Sequence, residues 1–88
     1  MKFYYVYVLK NINHSFIYIG FTENLKNRII QHNNKEEHST KAYTPFELIH
    51  YEAYRSEKDA KRREIYFKTA KGRTTLRYML KDYLTNEQ

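Results

Sequence analysis

Glu64 is the residue of this sequence whose position most needs a chemical explanation. It is spaced i, i+4, i+7 with Ala60 and Phe67, so on a helix its carboxylate lies inside the apolar stripe. A carboxylate in that place costs on the order of several kcal/mol unless it is paired or bound to a metal. Two partners are open at this point: an arginine in a structural salt bridge, which is the usual one, or a hard divalent cation that keeps most of its water.

Arg28 and His32 form a second polar pair with a defined spacing. On a helix, residues four apart place a fixed guanidinium and a titratable imidazole in one space. Both fall within about 60° of Leu25 around the helix axis. We therefore expect them to flank the core, although the ordinary interpretation of such a pair alone is two polar surface residues.

The first segments of the chain predict a strand hairpin. Residues 2–10 are apolar on both alternating faces, which favours a central strand covered on both sides. A polar turn over 11–15 and a second strand over 16–21 follow. The alternation of strand side chains places Tyr5 and Tyr7 on one face, and likewise Tyr18 and Gly20.

A helix is expected after the hairpin, and it carries Arg28 and His32. Thr22 is the expected N-cap of this helix, which runs from 23 to about 34 with Leu25 and Ile29 as its buried stripe. The polar segment 35–44 is predicted to be a loop.

A third strand and two further helices complete the predicted order. The strand covers 46–54, and Ser56 with Asp59 resembles a capping box that starts a helix through about Ala70, with Gly72 as its C-cap. In this helix Lys61, Arg62 and Lys68 occupy the outside. The last helix is expected over about 75–84, with an inward face formed by Leu76, Leu80 and Tyr83.

The composition indicates one ordered, basic domain over residues 1–88. Hydrophobic residues make up 41% of the chain, with one proline and two glycines, which argues against disorder or a long linker. The absence of cysteine removes disulfides and thiolate metal sites. The apolar run 3–9 is too short to span a bilayer, so we expect a cytoplasmic protein with no membrane association. A formal net charge of +6 draws such a domain towards polyanions, of which nucleic acid is the commonest; a merely soluble basic surface is the alternative.

An ordered set of residues resembles the GIY-YIG nuclease family. Tyr5-Val6-Tyr7, then ten residues, then Tyr18-Ile19-Gly20 is similar to the paired tripeptides that name the family. The first tripeptide alone is a weak signal, and Tyr5 stands where the family has its glycine. The chain resembles most closely the small stand-alone bacterial members, which are related to the N-terminal nuclease domain of a bacterial excinuclease. The strong signal is the ordered set that spans most of the chain, namely Tyr7, Tyr18, Gly20, Arg28, His32 and Glu64.

The resemblance implies an α+β fold, a three-stranded antiparallel sheet flanked by helices, in agreement with the order β-β-α-β-α-α read above. It also implies that the five polar members of the set converge on one face. Glu64 would hold one Mg²⁺ or Mn²⁺ that polarises the scissile phosphate, while Arg28 would neutralise charge in the transition state. Tyr7 and Tyr18 would orient the attacking water and the phosphate. The general base is left open between a tyrosinate and His32.

Gly20 has a steric part in the same scheme, because a side chain at the end of the second strand would crowd the site. Tyr43 and Arg73 are candidates for further contacts. The residues expected to follow the nucleic-acid backbone are Lys26, Lys41, Lys61, Arg62, Lys68, Lys71 and Arg77.

Together these features predict a metal-dependent endonuclease that hydrolyses phosphodiester bonds and leaves 5′-phosphate and 3′-hydroxyl ends. We favour DNA over RNA as the substrate, in repair or processing, with structured substrates left open. The alternatives are a non-catalytic nucleic-acid-binding module and a nuclease component that works only beside a partner protein.

Overall fold

The computed structural model describes residues 1–36 and 44–86. The predicted α+β architecture, a three-stranded antiparallel sheet flanked by helices, is confirmed. The predicted residues Lys41 and Tyr43 lie outside the described residues. The strands are β1 (Tyr4–Asn11), β2 (Ile17–Thr22) and β3 (Phe46–Tyr54), and the helices are α1 (Leu25–Asn33), α2 (Glu57–Phe67), α3 (Ala70–Met79) and α4 (Lys81–Asn86).

The first strand is the centre of the sheet, whose order is β2-β1-β3. The four residues Val6, Tyr7, Val8 and Leu9 are completely buried, so the prediction of a central strand covered on both sides is confirmed. The face that carries Tyr7 and Leu9 is called the tyrosine face here, and the face that carries Val6 and Val8 is called the valine face. Asn11 belongs to β1 and β2 begins at Ile17, so the turn covers 12–16 and is shifted by one residue from the expected position.

An irregularity in β3 changes which of its side chains lie on which face. Val8 pairs with His50, but the next residue, Leu9, pairs with Leu48, so Ile49 is an extra residue in β3. Such a bulge reverses the alternation of side chains beyond it. Leu48 therefore lies on the tyrosine face and His50 on the valine face, although they are two residues apart.

The first helix packs against the tyrosine face through Leu25 and Ile29. The prediction that Thr22 caps this helix is wrong. Thr22 is the last residue of β2 and pairs with β1, so the chain is still extended there. The N-cap is Asn24, whose side chain accepts a hydrogen bond from the backbone N–H of Asn27 at 3.1 Å.

The second and third helices pack against the valine face. Ala60, Phe67 and Leu76 form one buried cluster with the valines. The predicted outside of α2 is confirmed, since Lys61, Arg62 and Lys68 are exposed. Ser56 precedes the first residue of α2 as expected, but its side chain makes no capping hydrogen bond, so the capping box does not form.

Gly72 does not end the second helix, as the sequence suggested. That helix ends at Phe67, and Thr69 starts α3 by accepting a hydrogen bond from the backbone N–H of Gly72 at 2.9 Å. Gly72 is buried in the first turn of α3, where a Cβ atom would lie 1.8 Å from the carbonyl oxygen of Tyr66. A glycine is needed there because the start of α3 touches the backbone of α2.

The predicted last helix is two helices, α3 and α4, separated at Leu80. Of its expected inward face, Leu76 is buried and Leu80 packs against the core. The expectation for Tyr83 is wrong, because this ring lies at the surface and its hydroxyl donates to Glu47 Oε2 at 2.8 Å. Across residues 1–36 and 44–86, no helix is long and apolar enough to cross a membrane.

A partly buried carboxylate that was not singled out in the sequence joins α2 to β3. Glu52 accepts hydrogen bonds from Arg63 Nε at 2.9 Å and Nη2 at 3.3 Å, and from the Tyr54 hydroxyl at 2.6 Å. The ring of His50 lies 3.0 Å from its second oxygen. Burial raises the pKa of Glu52, but the hydrogen bonds from Arg63, Tyr54 and His50 outweigh it and lower this pKa from 4.5 to about 2.

Replacement of Gly72 by alanine tests the contact between α2 and α3. Because the added methyl group meets backbone, the helices must separate, and we expect Gly72→Ala to destabilise the protein by about 1–3 kcal/mol. Thr74→Ala, at an exposed position of the same helix, is the control and should change stability by less than about 0.5 kcal/mol. Urea denaturation measures both. Equal stability of the two variants would contradict the close helix contact.

The pH dependence of stability tests the network around Glu52. Since the folded-state pKa of Glu52 is below 4.5, its contribution is complete above pH 4.5 and is lost as the pH falls towards 2. The full contribution is on the order of 3 kcal/mol, and Glu52→Gln should remove it at pH 7. Urea denaturation at several pH values should show a flatter acid limb for this variant.

The matched control for Glu52 is Asp59→Asn, which breaks an exposed pair with Arg62 on α2. It should keep the stability of the unaltered protein at pH 7, because exposed pairs contribute about 0–1 kcal/mol. An acid limb that is the same for both variants would show that Glu52 does not carry the effect.

Candidate active site

Three of the residues singled out in the sequence meet at one hydroxyl group. The Tyr7 hydroxyl lies 2.9 Å from His32 Nε2, and Arg28 Nε donates to the same oxygen at 3.3 Å. Tyr7 comes from the central strand, while Arg28 and His32 come from α1, one turn apart. The expectation that this pair flanks the core is confirmed, since His32 is completely buried and Arg28 is half-buried.

Tyr18 joins this group through its ring. Its centroid lies 4.9 Å from that of His32 and 6.2 Å from that of Tyr7. Tyr18 pairs with Leu9 across the hairpin, which places it on the tyrosine face. The structure therefore brings Tyr7, Tyr18, Arg28 and His32 together, and these four residues are called the tyrosine cluster.

Gly20 leaves the space that the Tyr7 ring occupies. The two residues are paired across β1 and β2. A Cβ atom at Gly20 would lie 2.4 Å from both Cζ and the hydroxyl oxygen of Tyr7. Any side chain at this position would thus displace the phenol from His32 and Arg28.

The hydroxyl of Tyr7 is placed for proton transfer. Its oxygen accepts a hydrogen bond from a permanent cation, the Arg28 guanidinium. Its own proton points to His32 Nε2 when the imidazole carries its proton on Nδ1. The arrangement can therefore develop negative charge on the phenol oxygen while the imidazole takes up a proton.

Gln31 is a member of the site that the sequence analysis missed. Its Oε1 accepts a hydrogen bond from Arg28 Nη1 at 3.2 Å, which fixes the guanidinium. The i, i+3 spacing on a helix was the signal that could have found it. Both residues line a surface cleft of about 390 Å³ where β2 gives way to α1, together with Phe21, Thr22, Glu23, Asn24 and Asn27.

Glu64 is on a different helix and is not joined to the tyrosine cluster by a hydrogen bond. It belongs to α2, which packs against the valine face, and its side chain is 19% exposed. The expected partner of this carboxylate was an arginine or a metal ion. Within the described residues its partner is Lys68, whose half-exposed Nζ donates to Oε2 at 2.9 Å.

The described residues contain no group of three or more histidine, cysteine, aspartate or glutamate side chains that could hold a metal ion. A hydrated Mg²⁺ needs less, because it is commonly held by one or two carboxylates and keeps several waters. Glu64 fits that requirement, since its Oε2 bonds a flexible lysine and its Oε1 makes no hydrogen bond within the described part of the chain.

The basic residues expected to contact nucleic acid fall into two groups. On α2, Lys61, Arg62 and Lys68 are each paired with a carboxylate three or four residues away. Lys26 on α1 and Lys71 and Arg77 on α3 are exposed and make no ion pair among the described residues, while Arg73 is half-buried.

Comparison with known proteins identifies the relatives of this chain. The model of the GIY-YIG catalytic domain matches residues 3–77. A UPF0213 protein of Staphylococcus epidermidis is 36% identical over 70 residues, which cover 78% of this chain and 84% of that protein. A UPF0213 protein of Clostridium perfringens is 38% identical over 65 residues, covering 73% and 69% of the two chains.

The fold has a counterpart among solved structures. The solution NMR structure of a UPF0213 protein from Bacillus halodurans is similar with a TM-score of 0.55 and 28% identity, covering 88% of this chain and 84% of that one. The residues that meet around the Tyr7 hydroxyl all lie within the segment matched by the family model. The chain belongs to the GIY-YIG catalytic domain family.

Proposed function

We propose that this chain is a metal-dependent endonuclease, a single domain that hydrolyses phosphodiester bonds of DNA in repair or processing. The observation that carries the proposal is the Tyr7 hydroxyl held between His32 and Arg28 in the space left by Gly20. In this proposal the constellation supplies a group that activates the nucleophile and a cation for phosphate chemistry. Membership in the GIY-YIG catalytic domain family supports it.

Arg28 binds the phosphate in this proposal. It lines the cleft between β2 and α1, and hydrogen bonds to Tyr7 and Gln31 fix its guanidinium in advance. A donor that is already fixed needs little reorganisation when charge develops on the phosphoryl oxygens. Arg28 and Tyr18 are also the members of the tyrosine cluster that solvent reaches, since Tyr7 and His32 are completely buried.

Tyr7 and His32 accept the proton of the attacking water in this proposal. Once a movement of neighbouring side chains opens the Tyr7 oxygen to the attacking water, the water gives up its proton towards that oxygen. The phenol passes its own proton to His32 Nε2, 2.9 Å away. Burial of both residues shields this exchange from bulk water. Arg28, bonded to the same oxygen, stabilises the negative charge that develops there.

Glu64 is the proposed metal ligand. A bound Mg²⁺ or Mn²⁺ supplies a Lewis acid for the scissile phosphate and the departing 3′ oxygen. To bind the metal ion, the carboxylate must release the Lys68 ammonium. This release costs little, because the lysine side chain is half-exposed and water can solvate its charge. Lys61, one turn before Glu64, lies 5.2 Å from the ring of Phe21, a residue of the cleft, so α2 runs close to that edge of the sheet.

A second candidate function is a non-catalytic nucleic-acid-binding module. The burial of the Tyr7 hydroxyl favours it, because a buried group cannot touch substrate without movement of its neighbours. Cleavage assays separate the two candidates. We expect cutting of DNA with Mg²⁺ or Mn²⁺, with 5′-phosphate and 3′-hydroxyl ends, and none with EDTA. Binding without cutting across single-stranded, duplex and branched DNA and RNA, with either metal, would support the module instead.

The first variant that tests the site is Arg28→Ala. We expect cleavage to fall at least about a hundredfold, because one transition-state donor contributes ~2.7–4 kcal/mol. Stability should fall by only about 1 kcal/mol, since Arg28 is half-buried. Lys58→Ala, which removes an exposed positive charge from α2, is the control and should cleave normally. Unaltered turnover by Arg28→Ala with the same metal and substrate would remove Arg28 from the mechanism.

The second variant, Glu64→Gln, separates a metal ligand from a structural carboxylate. Because its partner is a half-exposed lysine rather than a buried arginine, the amide should change the free energy of unfolding by less than about 1 kcal/mol. Cleavage should be lost while DNA binding persists. Glu57→Gln breaks the equivalent pair with Lys61 on α2 and should leave cleavage intact.

Urea denaturation in EDTA, a binding titration and a cleavage assay are needed for both glutamate variants. A Glu64→Gln protein that unfolds far more easily than Glu57→Gln would identify Glu64 as structural. A folded Glu64→Gln protein that still cuts would remove Glu64 from the active site.

A further inference from the structure

One end of the tyrosine face is not covered by α1. There Tyr51, which pairs with Tyr7 across β1 and β3, is 52% exposed. The ring of Tyr5 lies beside it, with centroids 6.1 Å apart and planes tilted by 60°. The neighbour of Tyr5 across the sheet is Ala53, a small and exposed residue. Two aromatic rings thus border an open stretch of sheet next to the tyrosine cluster.

The same stretch of the tyrosine face continues to the positively charged side chain of Arg55. Phe3 lies two residues before Tyr5, and the guanidinium carbon of Arg55 lies 5.7 Å from the centroid of the Phe3 ring. Arg55 is exposed and makes no ion pair among residues 1–36 and 44–86. Phe3, Tyr5 and Tyr51 are called the aromatic strip. Arg55 flanks one end of this strip. At the other end Tyr51 pairs with Tyr7, whose ring extends over β2 to the hydrogen bond with Arg28.

We propose that the aromatic strip binds unpaired bases beside the phosphate that is cut, so that the substrate is single-stranded or locally unpaired nucleic acid. This inference rests on the proposed nuclease function. Bases without a stacking partner stack on aromatic side chains, and each such contact contributes ~1–3 kcal/mol. Bases inside a duplex already stack on one another and cannot use the strip. Arg55 beside Phe3 and Arg28 beyond the Tyr7 ring are the guanidinium groups available to the phosphates of such a strand.

Charge favours this occupant over a second copy of the chain. A copy would bring a further net charge of +6 to a strip that Arg55 already borders. A polyanion meets the opposite condition, because its phosphates pair with the arginines while its bases cover the rings.

The absence of tryptophan from the sequence allows a direct test of stacking. Tyr51→Trp gives a protein with a single indole in the strip. Tyr78→Trp is the matched control, because Tyr78 is 70% exposed on α3, a helix that packs against the valine face. Both are titrated in EDTA with a single-stranded oligonucleotide and with the same sequence as a blunt duplex. We expect saturable quenching only for Tyr51→Trp and only with the single strand.

Substitutions at Tyr51 measure how much the strip contributes. Tyr51→Ala should weaken binding of the single strand about 5- to 150-fold, the equivalent of one stacking contact at ~1–3 kcal/mol. Tyr51→Phe keeps the ring and should bind like the unaltered protein, as should Tyr78→Ala. The free energy of unfolding of each variant is measured beside its affinity, so that a loss of binding by a folded protein is established.

The outcomes separate this inference from the nuclease proposal. Single-strand binding that depends on Tyr51, without cleavage of any substrate, would support the strip and overturn the nuclease. Normal cleavage of unpaired substrates by Tyr51→Ala would leave the nuclease in place and overturn the strip. Equal quenching by duplex and single strand would also overturn it. A change in the indole emission of Tyr51→Trp with protein concentration alone would overturn the inference as well. It would show that a second copy of the chain binds to the strip.

Discussion

The hydrogen bonds of the Tyr7 hydroxyl are the interaction on which the rest of the site depends. A phenol in the middle of a central strand is completely buried, so its oxygen must find partners inside the protein. Arg28 and His32 provide them from one side of α1, which fixes the rotation of that helix over the sheet. The same bonds that satisfy a buried polar group also bring a cation and a proton acceptor to one oxygen. Stability and chemistry therefore have a common origin here.

The two faces of the sheet have different roles, one in the packing of the core and the other in the candidate site. The valine face carries α2 and α3, closed by an apolar cluster and by the bond between Glu52 and Arg63. The tyrosine face carries α1 over one end, and Tyr51 and Ala53 are exposed at the other end. The extra residue Ile49 makes this division within β3, because it sends Leu48 to one face and His50 to the other. Because of this single extra residue, β3 contributes His50 to the polar network around Glu52 and Leu48 to the apolar cluster of the opposite face.

Apolar periodicity predicted the elements, and helical spacing predicted that Arg28 and His32 share one space, because both are local properties. That Tyr7 and Tyr18 join this pair was implied by the resemblance to the family. Thr22 was mistaken for a cap because strand pairing, which is not local, keeps that residue extended. The prediction that Gly72 ends a helix was wrong, because a glycine is required there by a close contact with the backbone of Tyr66 on another helix. The sequence did not reveal Glu52, and it suggested an arginine or a metal ion as the partner of Glu64. Which carboxylate contacts Arg63 depends on how α2 lies against β3, and this is not a local property.

Gly20 also gives the hairpin a means of rejecting wrong pairings. A slip of β2 by one residue against β1 would set Ile19 or Phe21 opposite Tyr7, and a slip by two would set Tyr18 or Thr22 there. Each of these carries a Cβ where Gly20 has none, in the volume that the phenol ring needs. Only the native register lets the ring reach its partners. The smallest residue of the strand therefore selects the native register by steric exclusion. In a hairpin with a shifted register, Tyr7 could not make its hydrogen bonds to α1.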